Sequence, residues 1–523
     1  MPTDVQIAAR RISSVNPATG ELLREFACAA DGEVRAAVES ARVAQGKWNE
    51  LGVRKRVAVL REFQHRLHEK KSEIADAITR EAGKPRAEAL VTEVLVVLDS
   101  ARFLIENAWR LLQDEAIPHG NLATKAKRGR LLHEPYGVIG IISPWNYPFS
   151  IPATETLAAL VAGNSVVLKP SELTSAVALE LGSLLHAAGV PEDVFRVVVG
   201  DGATGAALIQ SAIDKLVFTG SVATGKRIAA AAAERLLPIV LELGGKDPML
   251  VLDDADVDVA SSAAVWGAFV NAGQACLSVE RCYVQSSSYE AFLRACAEKT
   301  EKLHVGNGLD PQTDVGPMIH ERQLRVVESH VEDARACGAR ILAGGTRLPK
   351  LGANFYAPTV LADVTHDMRI MREETFGPVL PVMAFDNDEE AVRLANDSEY
   401  GLSASVWTRD RARSERIARQ IQAGTVMVND VISCFGISEA PHGGWKASGV
   451  GRTHGRFGLE EMVRAKYLDS DLLPGMKKVW WYGYGEAFAR HMNGFLDLQF
   501  ARGIGQRLRG ALGAVGVLKR KKL

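Results

Sequence analysis

At 523 residues the chain is too long for one core, so two or three domains are expected. Its 47% hydrophobic and 24% charged content is ordinary for a water-soluble globular protein, and no apolar run is long enough to cross a bilayer. A formal charge of −1 and 6% aromatic residues argue against a polyanion partner or a base-stacking platform, so no nucleic-acid partner is expected.

Residues 12–28 alternate in polarity around Asn16-Pro17-Ala18-Thr19-Gly20, which predicts two strands joined by a turn. Residues 31–113 read as helix, with Asp31 as N-cap and Val34, Val38, Ala41 and Trp48 at helical spacing. The segment Glu81-Ala82-Gly83-Lys84-Pro85 breaks that run. A polar-edged strand is expected at 128–135. Short apolar runs at Val138–Ile142, Ser165–Leu168, Phe195–Val199, Lys215–Phe218 and Ile239–Leu243 predict strands, with helices near 151–162, 174–189, 203–211 and 223–236 between them. Such alternation predicts a doubly wound, Rossmann-type parallel sheet. A second alternation predicts another α/β domain: helix 256–271, strand 280–285, helices 288–302 and 320–338, strands near 358–364 and 379–385, helix 388–396, strand 403–407, helix 410–422 and strand 425–428.

Six cysteines, at 28, 276, 282, 296, 337 and 434, form no CxxC pair, so neither a zinc ribbon nor a redox motif is expected and no metal site is assigned. Reduced thiols and an N-terminus without an apolar leader point to a cytoplasmic protein.

Four motifs carry candidate chemistry. Phe269-Val270-Asn271-Ala272-Gly273-Gln274-Ala275-Cys276 places a thiol in an apolar setting; alone, such a thiol is usually a small buried hydrophobe. Leu241-Glu242-Leu243-Gly244-Gly245-Lys246 puts a carboxylate at the end of an apolar strand, where burial raises its pKa toward the range of a general base. A salt-bridged structural glutamate is the plainer reading of that residue taken singly. Pro144-Trp145-Asn146-Tyr147-Pro148 follows a strand, and the Asn146 amide there can donate to a developing oxyanion or simply build a turn. Lys169-Pro170-Ser171-Glu172 suits a ribose, and Gly220-Ser221 opening a helix suits a pyrophosphate, although neither is the GxGxxG fingerprint.

In this order, and with Glu374-Thr375-Phe376-Gly377-Pro378 and the segment from Pro441 through Arg452, these motifs resemble the aldehyde dehydrogenase superfamily over roughly residues 12–470. The resemblance implies a Rossmann-type cofactor domain at 1–116 and 136–244, a catalytic domain at 245–447, and an oligomerisation element at 117–135 and 460–474. It implies oxidation of an aldehyde to an acid. Cys276 would be the nucleophile, Asn146 would hold the oxyanion, and Glu242 would be the base that hydrolyses the thioester. Ser143, Trp145, Lys169, Glu172, Gly220, Ser221, Leu243, Glu374 and Phe376 would contact the cofactor. Tyr147, Ile151, Val270, Leu277, Cys434 and His442 would line the substrate pocket. Glu172 favours NAD over NADP, because a carboxylate that bonds the ribose 2′-hydroxyl repels a 2′-phosphate. A homodimer or homotetramer is implied. Many relatives carry an acidic residue after the Gly-Arg pair, proposed as a proton relay; Thr453 stands there instead, so any relay must differ. The usual phenylalanine of the Pro-Phe-Gly-Gly motif is His442.

Substrate identity is less legible, with hydrophobic medium- or long-chain and aromatic aldehydes the leading expectation. A semialdehyde dehydrogenase of the succinic type and a non-catalytic binding protein on the same scaffold are the alternatives; Glu242 disfavours an acyl-transferring relative. Residues 475–523 extend beyond the resemblance. Ten Lys and Arg against two acids from Lys477 onward leave about −9 on the rest of the chain. The aromatic group Trp480, Trp481, Tyr482 and Tyr484 precedes apolar residues at three- and four-residue spacing. This pattern predicts an amphipathic helix at an anionic membrane surface, with packing on its own or a neighbouring subunit as the alternative.

Overall fold

The computed structural model describes residues 10–519. The chain forms two compact units. One runs through Leu112 and resumes at Pro135–Val463; the other joins Gln113–Glu134 to the chain from Arg464 onward.

The first unit opens on the antiparallel strands Arg11–Val15 and Leu22–Ala27. Helices Asp31–Glu50, Gly52–Glu69 and Lys71–Ala82 follow, and the last ends where Gly83 takes a left-handed conformation. Between the short helix Arg86–Ala89 and the helix Leu95–Leu111 lies one π-helical turn, Leu90–Val94. Such turns recur at functional sites.

A six-stranded sheet has the order Gly449–Val450, Ile239–Glu242, Lys215–Thr219, Val138–Ile142, Ser165–Lys169, Phe195–Val197. All its pairings are parallel except at the Gly449–Val450 edge. The chain leaves Val138–Ile142 toward one side, then returns to build Lys215–Thr219 on the other. The reversal opens a crevice at the carboxyl ends of these strands, the usual ligand position in such sheets.

The second sheet has seven strands, in the order Arg340–Ala343, Thr359–Ala362, Val379–Phe385, Val279–Gln285, Asp247–Val251, Ser403–Trp407, Thr425–Val428. Only the Arg340–Ala343 edge is antiparallel. Sequence reading missed the fully buried central strand Asp247–Val251, because it follows Glu242 after only four residues and looks like the tail of the previous strand. Those four residues carry the chain from one sheet to the other.

The second unit holds a three-stranded sheet in the order Val463–Asp471, Lys127–Pro135, Glu115–Ile117. It also holds the C-terminal extension. In place of one amphipathic helix there are two, Glu486–Phe500 and Ile504–Lys519. They run antiparallel: a Cβ on Gly494 would lie 2.9 Å from Gly513, one on Gly510 2.5 Å from Leu498 N, and one on Gly516 2.0 Å from His491. Glycines that weaken an isolated helix therefore let two backbones approach closely. No helix among the described residues is long and apolar enough to cross a membrane.

Candidate active site

Glu242 ends its strand against the C-terminal loop, where Leu243 N donates to Ser448 O at 3.0 Å. Its carboxylate is buried, and among the described residues neither oxygen has a hydrogen-bond partner. His442 Nε2 lies 3.6 Å from Glu242 Oε2. The crossover Gly244-Gly245-Lys246 follows. Lys246 Nζ reaches Glu280 Oε2 at 2.5 Å, and Glu280 in turn accepts from Thr375 N and Phe376 N, each at 2.8 Å. This pair pins the Glu374–Phe376 loop to the crossover. Gly245 N donates to Glu374 Oε1 at 3.1 Å. A Cβ on Gly245 would lie 2.3 Å from the carbonyl oxygen of Cys276, so the thiol's backbone closes directly on the crossover.

Cys276 is delivered by a strained turn. After the helix Val257–Phe269, Asn271 and Ala272 both stand at φ 53° and Gly273 at φ 70°. Non-glycine residues there cost about 1–3 kcal/mol each and persist only when surroundings hold them. Asn271 Nδ2 donates to Asn146 O at 2.9 Å and Gln274 O at 3.1 Å; Gln274 Nε2 returns a bond to Asn271 O at 2.9 Å. Asn271 N donates to Glu88 Oε2 at 3.0 Å, and Gln274 Oε1 accepts from Ile319 N at 2.9 Å. A Cβ at Gly273 would meet Gly377 O at 2.1 Å, so the left-handed glycine is also a close approach.

Asn146 is buried beside this turn and spends one amide proton on Gln274 O at 3.1 Å. Lys84 fixes the Asn146 backbone, donating from Nζ to its carbonyl at 2.8 Å. Wholly buried, Lys84 also pairs with Glu93 at 2.7 Å and stands 3.8 Å over the Tyr147 ring. Glu93, carried on the π-helical turn, accepts from Phe149 N at 2.8 Å and Ser150 N at 2.9 Å. Neither Lys84 nor Glu93 was singled out from the sequence: their partners lie far along the chain, and the turn Glu81–Pro85 showed only as a break.

Burial, then the carboxylates of Asp247, Glu374 and Glu242, hold the Cys276 thiol well above its ordinary pKa. Burial, then Glu155, holds the Glu242 carboxyl well above the usual carboxylate range. Burial, then Glu280, pushes Glu374 up to about 8. Burial thus disfavours both the thiolate of Cys276 and the ionised form of Glu242.

Cys276 lines two different spaces. An apolar channel of about 280 Å³ has walls that include Tyr147, Ile151, Leu277 and Phe435, and Val91, Leu95, Trp266 and Ile437, each more than 40% exposed, stand along it. No charged side chain lines it among the described residues. On the other side, a space of about 20 Å³, enough for water, is bounded by Glu242, Glu155, Thr219, His442 and His454. Three expected pocket residues are placed elsewhere. Val270 points into a neighbouring cavity with Glu88 and Asp314, because the strained turn swings it away from the thiol. Cys434 packs into the core of the second sheet while its neighbours Ser433 and Phe435 face the channel. His442 lies not at the mouth but deep beside Glu242, drawn in by a two-way backbone pairing with Thr453 at 2.8 Å.

The crevice at the strand ends holds a cavity of about 640 Å³ lined by Ser143, Trp145, Lys169, Glu172, Gly220 and Ser221, among others. Lys169 Nζ stands 3.5 Å from Glu172 Oε2. Ser221 caps the helix Val222–Ala233, accepting from Thr224 N, and so presents that helix's free N–H groups to the crevice. Phe376 meets Trp145 edge-on, ring centres 5.5 Å apart. Leu243 does not line this cavity; it faces the water-sized space and packs where a Cβ on Gly225 would stand.

Residues 5–468 match the model of the aldehyde dehydrogenase family. The chain is 42% identical over 491 residues to 4,4′-diapolycopene aldehyde oxidase of Methylomonas sp, covering 93% of this chain and 91% of that one. It is 39% identical over 461 residues to "Succinate-semialdehyde dehydrogenase, mitochondrial" of Oryza sativa subsp. japonica, covering 88% and 86%. The crystal structure of an NAD-dependent aldehyde dehydrogenase from Sinorhizobium meliloti superposes with a TM-score of 0.86 at 37% identity, covering 90% of this chain and 93% of that one. With a thiol, a buried carboxyl and a strand-end crevice assembled as described, the chain belongs to the aldehyde dehydrogenase family.

Proposed function

We propose that this aldehyde dehydrogenase oxidises a long, apolar aldehyde to its carboxylic acid with NAD, using Cys276, Asn146 and Glu242. The observation that carries the substrate class is the channel wall. It offers apolar surface from the thiol to an exposed apolar rim and no cation for a substrate carboxylate. Lys84, the nearest buried cation behind Tyr147, is already taken by Glu93 and Asn146 O. A succinic-type semialdehyde would bury its second carboxylate unpaired, at a cost that disfavours it.

The crevice fits a dinucleotide. Its cavity is large, the helix opening at Val222 offers unpaired N–H groups to a pyrophosphate, and the Lys169–Glu172 pair offers both a donor and acceptors to ribose hydroxyls. Ser143, Trp145, Gly220 and Ser221 would flank it, with Glu374 and Phe376 at the thiol end. When bound, NAD supplies the hydride acceptor. The protein's residues do the rest. Glu242 takes the thiol proton, and Cys276 Sγ attacks the carbonyl carbon. Asn146 Nδ2 and the Cys276 N–H hold the oxygen that becomes anionic. Glu242 gives up the thiol proton to water before hydrolysis; after oxidation to the thioester it takes a proton from the attacking water, the hydroxyl adds to the acyl carbon, and the carbon–sulfur bond breaks to release the acid.

The extension supports membrane contact. A match covering 93% of the chain necessarily runs past residue 468 into the extension, so the Methylomonas relative, named for a diapolycopene aldehyde, shares part of it. Ile504, Leu508 and Leu512 are each at least 65% exposed, amid Arg502, Arg507 and Arg509. An exposed apolar face ringed by cations suits an anionic lipid surface. The second unit also leaves the nine-residue strand Val463–Asp471 at the edge of its sheet, which suits pairing with a second copy in a homo-oligomer.

Absorbance at 340 nm decides the function, using NAD or NADP and aldehydes from acetaldehyde to hexadecanal, with succinic semialdehyde included. Higher kcat/KM for the long aldehydes is expected, with reduction lost in Cys276→Ala. A preference for succinic semialdehyde would overturn the substrate class. Flotation with phosphatidylglycerol vesicles, with and without residues 475–523, tests the extension; flotation independent of it would refute the membrane reading.

A further inference from the structure

The residue that calls for explanation is Glu155. It sits on the helix Ser150–Ala162, whose residues are all buried but one, and it is 3% exposed. Its Oε1 accepts from Thr219 Oγ1 at 3.2 Å; among the described residues its Oε2 has no partner. Among the described residues no cation pairs with it. A carboxyl left this way in a core is costly, so a structural role is a poor account of it.

Its surroundings suggest another. Glu155 and Glu242 bound the same water-sized space, which reaches Cys276. A second space of similar size, also bounded by Glu155, Thr154, Thr453 and His454, continues away from the thiol to Ser438 and Ser100. His454 stands between the two, with Nδ1 3.1 Å from Thr453 Oγ1 and no partner for Nε2 among the described residues. Ser438 stands at the far end of the second space, hydrogen-bonded to the Asp99 carboxylate. The two spaces share Glu155, Thr154, Thr453 and His454, and each has room for a water.

We propose that Glu155 shares a proton with Glu242 and carries the proton of hydrolysis from it toward His454 and Ser438. The inference rests on the hydrolytic reading of Cys276 and Glu242. Attacking water gives its proton to Glu242 and its hydroxyl to the acyl carbon, while sulfur leaves with the bonding pair. Glu155 gives its own proton outward through the waters beside His454 while its other carboxyl oxygen takes the proton held on Glu242, which restores both carboxyls. Burial pushes Glu155 up to about 8, so near neutral pH it holds its proton, and burial together with Glu155 raises Glu242 as well. The groups facing Glu242 besides Glu155 are His442, Arg452 and Glu461, the last paired with Lys215 at 2.5 Å. Burial holds His442 near 3 and His454 near 4, so neither adds charge.

The test uses p-nitrophenyl acetate with the full-length enzyme, since acylation of Cys276 by this ester needs no cofactor. Wild type should show a burst of p-nitrophenolate equal to the enzyme concentration and then steady turnover; absence of a burst would overturn the thiol mechanism itself. Glu155→Gln should keep the burst and lose about tenfold to a hundredfold in the steady rate, a part of what acid–base groups contribute. Its steady-state pH profile should also lose the limb that wild type shows near pH 8. Glu155→Asp should recover part of the rate. An unchanged steady rate in Glu155→Gln, or burst and turnover falling together, would overturn the relay. His454→Gln provides the second route. A slowed steady rate with the burst intact supports the passage, and wild-type kinetics would overturn it even if Glu155→Gln failed to fold.

Discussion

The two spaces that meet at Cys276 differ in almost every respect. One is an apolar channel with an exposed rim; the other is a water-sized chamber of buried carboxyls and neutral imidazoles. The contrast is a division of labour. On the proposed reading, aldehyde would reach the thiol through a space that suits carbon chains, while water and protons would use the other. Low polarity on the first side strengthens every electrostatic effect on the second.

The largest effect should come from removing the base on the wet side. Glu242→Gln should still form one equivalent of NADH, more slowly than wild type because the thiol also loses its base, and slow the steady rate about 10²- to 10⁴-fold, read by stopped-flow absorbance. A full steady rate would show that the chamber does not serve hydrolysis. Next is the support beneath the dry side. Lys84→Met strands Glu93 as a buried, unpaired charge and should destabilise the fold by about 3–5 kcal/mol, seen as a lower denaturation midpoint in urea. A smaller effect sharpens the substrate boundary. Ile437→Lys puts a cation on the channel rim and should raise KM for decanal about tenfold while improving succinic semialdehyde. No change in that ratio would mean the rim does not select. The smallest effect concerns the imidazoles. With His442 held near 3 and His454 near 4, both are neutral above pH 5, so His442→Asn should not move any limb of the kcat–pH profile between 5 and 9. A limb near pH 6.5 that vanished in this variant would place a charged imidazole in the chamber.

Legibility followed the range of the interactions. Alternation of apolar strands and helices exposed both sheets, since each strand buries its own residues. The strand Asp247–Val251 escaped because a four-residue crossover leaves no loop-like signal before it. Near the thiol, motif order located the segments but not the direction of their side chains. Cys434 stands between Ser433 and Phe435, which face the channel, and turns away itself, while Val270 lines a neighbouring cavity with Phe269; only the Ser433–Gly436 turn and the positive-φ turn reveal this. Lys84 and Glu93 make contacts more than fifty residues away, beyond any local pattern. Glu155 was readable in principle: a lone carboxyl in the otherwise apolar run Ile151–Ala162. In the extension, glycines read as helix breakers serve as the seam between two helices.

The crossover Gly244-Gly245-Lys246 has a consequence for how such an enzyme can change over time. With a Cβ at Gly245 only 2.3 Å from the Cys276 carbonyl, and Lys246 locked to Glu280, the chemical machinery tolerates almost no drift. The channel's outer wall is assembled from the π-helical turn, Leu95, Trp266 and the segment 432–437, outside that crossover. On the proposed reading, altering Val91, Leu95, Trp266 or Ile437 would change which aldehydes are accepted while the reaction centre is inherited intact.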